Sequence, residues 1–169
     1  MYVILFILFS ICALGGCQES RTEPVELSDW HDGIENQAIM DYFKEEIEEI
    51  NKVYNYKEVT IKYLEFDFND DGKTDYLTCV SSAYHSGTKG DTNCILVSED
   101  DGLREIPLIL AFFFYKTDDN EYVYSYCKVP GEKTNGFYDV ILYDYSTNQE
   151  VLLQYNGDRY LIDEIQNIK

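Results

Sequence analysis

Basic side chains are scarce in this sequence. The 169 residues include 13 Lys and Arg against 32 Asp and Glu, which gives a formal net charge of −19 at pH 7. Nucleic-acid phosphates require cationic partners, so this balance of charge argues against a nucleic-acid-binding protein. It argues equally against charge-driven docking on an anionic lipid surface. The acidity concentrates cations around the protein but says little about its fold.

Residues that mark common catalytic or zinc sites are also few. The sequence has two histidines, His31 and His85, and no Cys-x-x-Cys or Cys/His cluster typical of zinc sites. It has no Gly-x-Ser-x-Gly motif, and no third group beside His85-Ser86 suggests a triad. We therefore expect no enzymatic activity. The alternative is a small extracytoplasmic hydrolase or an enzyme inhibitor whose site is not recognisable in the sequence.

No charged side chain precedes Gln18. Met1–Gly16 is an apolar run that is short for a bilayer span and has the length of a signal-peptide core. It ends in Leu14-Gly15-Gly16-Cys17, which resembles the lipobox of bacterial lipoproteins, although no Lys or Arg precedes the run. That resemblance implies removal of residues 1–16 and a lipid anchor on Cys17, at the extracytoplasmic face of the cell envelope. The alternative is a plain secretory signal in which Cys17 has no role.

The remainder of the chain predicts a tether followed by one domain. Residues 17–30 are mostly polar and indicate a tether. Asp32-Gly33-Ile34-Glu35 has the form of a helix capping box, and an apolar stripe follows at helical spacing. The stripe consists of Ile39, Phe43, Ile47, Ile50 and Tyr54. Strands broken by turns then predict an α+β domain over 31–169, with this N-terminal amphipathic helix packed on a mostly antiparallel β-sheet.

Three later segments predict strands and a turn. Ile106–Tyr115 is the most apolar stretch after the signal and indicates a buried strand, with Pro107 at its start because proline cannot donate to an interior ladder. Tyr122–Val129 alternates as a strand does. Asn156-Gly157 is a strong hairpin dipeptide.

An oxygen-rich loop joins the predicted strands Val59–Phe66 and Asp75–Ser82. Oxygen-bearing side chains occupy alternate positions, a glycine follows, and a further carboxylate comes three residues after it. Ca²⁺ binds about six to eight hard oxygens, and a loop with this spacing can wrap around one ion. A plain turn rich in Asp, Asn and Gly is the alternative. The groups concerned are the side chains of Asp67, Asn69, Asp71 and Asp75 and the carbonyl of Lys73.

The motif Asp67-x-Asn69-x-Asp71-Gly72-x-x-Asp75 resembles the calcium loops of FG-GAP and VCBS-like repeats. It departs from an EF-hand, because Thr78 stands at the twelfth position and the flanks predict strands. Ala83–Asn93 resembles the loop that follows this element in small bacterial lipoproteins. The resemblance implies those five groups as Ca²⁺ ligands, an extracellular structural or adhesive role and no catalysis. A full propeller is not expected, because several clear copies of the motif are lacking.

A later segment echoes this motif. Gly136 and Asp139 repeat the spacing of Gly72 and Asp75, but Gly131, Lys133 and Asn135 stand where the three alternating ligands stood. The second copy would therefore have lost its ligands, if the echo is more than chance.

Three cysteines lie beyond Cys17. Cys79 and Cys94 fall on predicted strands joined by a loop, so a disulfide between them is one reading for an exported protein. Small buried thiols are the other, since strand register cannot be read from sequence. Cys127 makes the count odd, so at least one thiol is unpaired.

These features together predict an envelope-anchored, calcium-stabilised, non-enzymatic module. We expect it to bind an extracellular protein or glycan, or to have a structural role. Ca²⁺ is the expected cofactor, and the membrane is contacted through the lipid on Cys17.

Overall fold

Short strands make up most of the fold. The structure is a computed structural model that describes residues 23–54, 59–82, 92–109, 114–116, 122–145 and 147–166. In chain order the strands are β1 (Val25–Leu27), β2 (His31–Asp32), β3 (Thr60–Phe66), β4 (Asp75–Ser81), β5 (Thr92–Glu99), β6 (Gly102–Pro107), β7 (Phe114–Lys116), β8 (Tyr122–Tyr124), β9 (Cys127–Val129), β10 (Lys133–Thr134), β11 (Phe137–Tyr138), β12 (Val140–Asp144), β13 (Gln149–Tyr155) and β14 (Tyr160–Gln166). The helices are α1 (Gln37–Tyr42) and α2 (Lys44–Tyr54).

Two five-stranded antiparallel sheets contain most of these strands. The first sheet has the order β2-β3-β4-β5-β6 and the second has the order β1-β9-β12-β13-β14. Each is a four-stranded meander with one edge strand added from the segment 25–32. The predicted, mostly antiparallel sheet architecture is confirmed. Two further antiparallel pairs, β7-β8 and β10-β11, lie outside the two sheets.

The predicted tether over 17–30 is wrong from Val25 onward. Val25–Leu27 pairs with Cys127–Val129 as an edge strand of the second sheet. Trp30 then donates a hydrogen bond of 2.7 Å from Nε1 to the carbonyl of Ser125. Its ring lies 5.2 Å from that of Tyr124. Ladder bonds and aromatic contacts therefore hold a segment whose composition indicated a linker.

One hydrophobic core lies between the two sheets. The first sheet contributes Leu64, Leu77, Cys79, Ile95, Val97 and Ile106, and the second contributes Cys127, Val129, Val140, Leu142, Val151 and Leu153. Strand β12 alternates buried and half-buried residues, as expected for a sheet with one covered face. Strand β4 is buried almost throughout, because the helical segment covers the other face of the first sheet.

The helix predicted from Asp32 does not form as one element. Gly33–Glu35 is a 3₁₀ turn, and the Asp32 side chain makes no capping bond; it pairs with Lys62 at 2.8 Å. Asn36 is the cap of α1, where its Oδ1 accepts from two backbone N–H groups. Ile39 and Phe43 are buried against the first sheet. No helix in the described ranges is long and apolar enough to cross a membrane.

Two predicted strands differ from the described elements, and residues 110–113 of the predicted strand Ile106–Tyr115 lie outside the described residues. Strand β6 ends at Pro107, which pairs with Cys94, so the proline closes the strand instead of opening it. An edge strand tolerates this, because the missing N–H can face outward. The predicted strand Tyr122–Val129 breaks at Ser125, where the buried Ser125 Oγ accepts from the Tyr143 N–H at 2.8 Å. The Asn156-Gly157 hairpin is confirmed by the pairing of Tyr155 with Tyr160.

No disulfide joins Cys79 and Cys94. Cys79 pairs with Asn93, while Cys94 pairs with Thr78, so the two cysteines differ by one residue in register. A shift of one residue reverses the face on which a side chain lies. Cys79 accordingly lies in the core between the sheets and Cys94 packs with the helical segment.

Candidate metal site

The oxygen-rich loop Asp67–Asp75, called the calcium loop after the motif that it resembles, connects β3 to β4. The pairing of Phe66 with Asp75 closes its base. Phe68 is fully buried within it, and its ring lies 5.3 Å from that of Phe66. An apolar anchor therefore holds the loop down while the polar side chains around it remain at the surface.

Three of the predicted ligands turn into the loop. The two carboxylate oxygens of Asp67 accept from the N–H groups of Asp71, at 3.1 Å, and Gly72, at 2.8 Å. Asn69 Oδ1 accepts from the same Asp71 N–H at 3.0 Å. Asp71 Oδ1 accepts from Lys73 N–H at 2.9 Å. Because Asp67 and Asn69 share one donor, their oxygens are close neighbours, and the side chains face a common backbone turn.

Two residues of this turn adopt the left-handed backbone conformation. Asp70 has φ of 63° and Gly72 has φ of 86°. Asp is among the few residues other than glycine that adopt this conformation readily, and glycine adopts it without steric cost. The spacing of the motif therefore reflects the backbone as well as the side chains.

Asp75 has a different setting from the other carboxylates. It is fully buried, and its two oxygens accept from the N–H groups of Phe68, at 3.0 Å, and Ser98, at 2.9 Å. Burial raises the pKa of Asp75 to about 6, the two N–H donors oppose this shift, and the carboxylates of Asp71 and Asp67 add to it. Asp75 therefore fastens the calcium loop to β5 and lies close to two further negative charges.

Two lysines supply positive charge at the rim. Lys73 Nζ lies 2.6 Å from Asp100 Oδ1, an ion pair that raises the pKa of Lys73 and lowers that of Asp100. Lys133 Nζ lies 2.8 Å from Asp70 Oδ2 and 4.3 Å from the centre of the Tyr138 ring. The first pair is local to the loop and its neighbouring turn, whereas the lysine of the second pair comes from β10, which is distant in sequence.

The oxygen donors of this loop are of the kind that a hard cation prefers, and internal hydrogen bonds hold the loop in a compact turn. Within the described part of the chain, no three His, Cys, Asp or Glu side chains already form a metal-binding group. The calcium-loop oxygens instead accept from the loop's own N–H groups. Carboxylate and amide oxygens have further lone pairs, and such oxygens are the ligands that Ca²⁺ takes. The assignment of all five groups, the side chains of Asp67, Asn69, Asp71 and Asp75 and the carbonyl of Lys73, as ligands stays a prediction.

Sequence reasoning missed two residues at this site. Lys133 and Ser98 contact the loop from other strands, and no local pattern could have revealed contacts so distant in sequence. Cys17, the signal run and Ala83–Asp91, which belongs to the predicted following loop, lie outside the described residues.

Comparison of the chain with family models, with curated proteins and with solved structures finds no match.

Proposed function

We propose that this chain is an envelope-anchored, calcium-stabilised, non-enzymatic module that binds an extracellular protein or glycan or has a structural role. The observation that carries the proposal is the convergence of Asp67, Asn69 and Asp71 on one turn of backbone. One side-chain oxygen that accepts from the backbone is enough to form a turn. Three alternate side chains whose oxygens face the same turn provide the start of a coordination shell.

The stabilisation follows from charge. The carboxylates of Asp71 and Asp67 add to the raised pKa of the buried Asp75, and a dication at the loop would offset that repulsion. Extracellular calcium modules bind with Kd on the order of 10⁻⁴–10⁻³ M. At about 1 mM Ca²⁺, a site at the tighter end of that range adds about 1.4 kcal/mol to the free energy of unfolding.

The anchor is proposed from the resemblance of Leu14-Gly15-Gly16-Cys17 to a lipobox. Two or more acyl chains give stable anchoring, since each buried CH₂ contributes about 0.8 kcal/mol. Mass measurement of the mature chain tests this directly. A mature chain that begins with an acylated Cys17 supports the proposal, and an unmodified Cys17 overturns this part of it.

Calorimetric titration of CaCl₂ into the full chain in mild detergent tests the metal site. We expect saturable binding by wild type and its loss in Asp71→Ala, together with most of the calcium-dependent rise in Tm. Asp163→Ala, which removes an exposed carboxylate from β14, is the matched control and should bind as wild type does. An equal rise in Tm for Asp71→Ala would show that the ion binds elsewhere.

The non-enzymatic assignment has its own test. The full chain is incubated with cell-wall glycans and with peptides, and both binding and turnover are measured. Saturable binding without turnover supports the proposal, and turnover would favour the hydrolase.

A further inference from the structure

A second loop, Gly131–Asp139, connects β9 to β12 of the second sheet and packs against the calcium loop. Its Tyr138 N–H donates to the Phe68 carbonyl at 2.8 Å. The Tyr138 ring lies 5.6 Å from the Phe66 ring. The calcium loop is therefore held between the two sheets.

The second loop brings one positive charge to this contact. The Lys133 ammonium is restrained twice, by the ion pair with Asp70 and by the face of the Tyr138 ring. Its side chain is 30% exposed, while that of Asp70 is 63% exposed. Exposed ion pairs contribute little to stability. The more consequential effect of this arrangement is a fixed cation at Asp70, within a loop that carries three further carboxylates, those of Asp67, Asp71 and Asp75.

We propose that Lys133 is a built-in counter-cation of the calcium loop that sets its affinity for Ca²⁺. With no ion bound, the ammonium offsets the repulsion among the loop carboxylates. When a dication binds, the same ammonium repels it, so the affinity is lower than the carboxylates alone would give. This inference rests on the proposed calcium function and adds a regulator from the loop between β9 and β12.

Coulomb's law gives the size of the effect. In the dielectric of water, a unit charge about 9 Å from a dication changes the affinity for that dication about fivefold. Lys133→Met keeps the aliphatic stem over Tyr138 and removes the charge, so Ca²⁺ should bind about fivefold more tightly. Lys133→Arg keeps the charge and should bind as wild type does.

A change on the other side of the ion pair separates this role from a structural one. Asp70→Asn leaves Lys133 uncompensated beside the loop, so Ca²⁺ should bind more weakly. If the pair only held the loop in shape, Lys133→Met and Asp70→Asn would both weaken binding. Opposite shifts support the proposal, and shifts of the same sign overturn it.

The chain contains a matched control. Lys128 Nζ lies 2.5 Å from Glu150 and 4.5 Å over the Tyr126 ring, which is the same pairing of carboxylate and tyrosine at another place. Lys128→Met removes the same charge and should leave the affinity for Ca²⁺ within about twofold of wild type, since Lys128 pairs with Glu150 on β13 and not with a carboxylate of the calcium loop. An equal gain in both lysine variants would show that only net charge matters and would overturn the proposal.

The experiment titrates CaCl₂ into the full chain and its variants in detergent at low salt, and repeats the titration in about 0.5 M KCl. The gain in Ca²⁺ affinity of Lys133→Met over wild type should shrink at high salt, because added ions screen the repulsion between the ammonium and the dication. A gain in affinity that salt leaves unchanged would overturn the proposal. Melting in chelator provides a second readout, in which Lys133→Met should be less stable than Lys133→Arg. If no protein binds Ca²⁺, the proposed function fails; if wild type binds and Lys133→Met gains nothing, only this inference fails.

Discussion

Asp75→Ala tests whether the buried carboxylate of the calcium loop supports the fold independently of any metal. The substitution removes the acceptor of two backbone N–H groups, those of Phe68 and Ser98. Hydrogen bonds to charged groups contribute about 1.5–3 kcal/mol each. Relief of the carboxylate's unfavourable burial offsets part of that loss, so we expect a cost of about 3 kcal/mol. For a chain of this size, that corresponds to a fall in Tm of roughly 6–12 °C.

The assay is thermal and urea unfolding of wild type, Asp75→Ala and Asp71→Ala, each in chelator and in excess CaCl₂. Asp75→Ala should lose stability in both conditions. Asp71 lies at the exposed rim, so Asp71→Ala should lose less than about 1 kcal/mol in chelator and should mainly lose the gain produced by calcium. If Asp75→Ala is as stable as wild type in chelator, the carboxylate does not fasten the loop to β5 and our reading of the site is wrong.

Three further predictions concern the same region and the core. Phe68→Ala should lower the free energy of unfolding by about 3–5 kcal/mol, because the ring is fully buried; urea denaturation measures this, and a loss below about 1 kcal/mol would contradict the packing. In chelator, wild type should lose stability relative to Asp75→Asn as pH rises from about 4 to 6. The pKa of Asp75 is about 6 in the folded protein against 3.8 ordinarily, so the folded state holds this proton more tightly than the unfolded state does. Parallel curves of unfolding free energy against pH for the two proteins would refute this prediction. Cys79 and Cys94 should react with iodoacetamide only after unfolding, since both are buried and burial raises the pKa of Cys94 to about 12; a disulfide in the native mass spectrum would overturn the register.

Local sequence patterns were sufficient to predict the strands around the calcium loop and the hairpin at Asn156-Gly157. An alternating strand, a glycine with positive φ and an Asx turn are each decided within a few residues. The start of the helix was harder to predict, because Asp32 and Asn36 are both suitable N-cap residues. The pairing of Asp32 with Lys62 on β3 leaves the cap to Asn36, and no helical periodicity shows that contact.

The sequence by itself determined the antiparallel strands, the loop and its oxygen-rich spacing, because these depend on neighbours along the chain. Tertiary structure decided which face each cysteine takes, because register between β4 and β5 is a relation between strands. It also decided that Val25–Leu27 is an edge strand and that Lys133 meets Asp70. Those contacts form only when the two sheets pack, so their free energy depends on residues that no local window contains together.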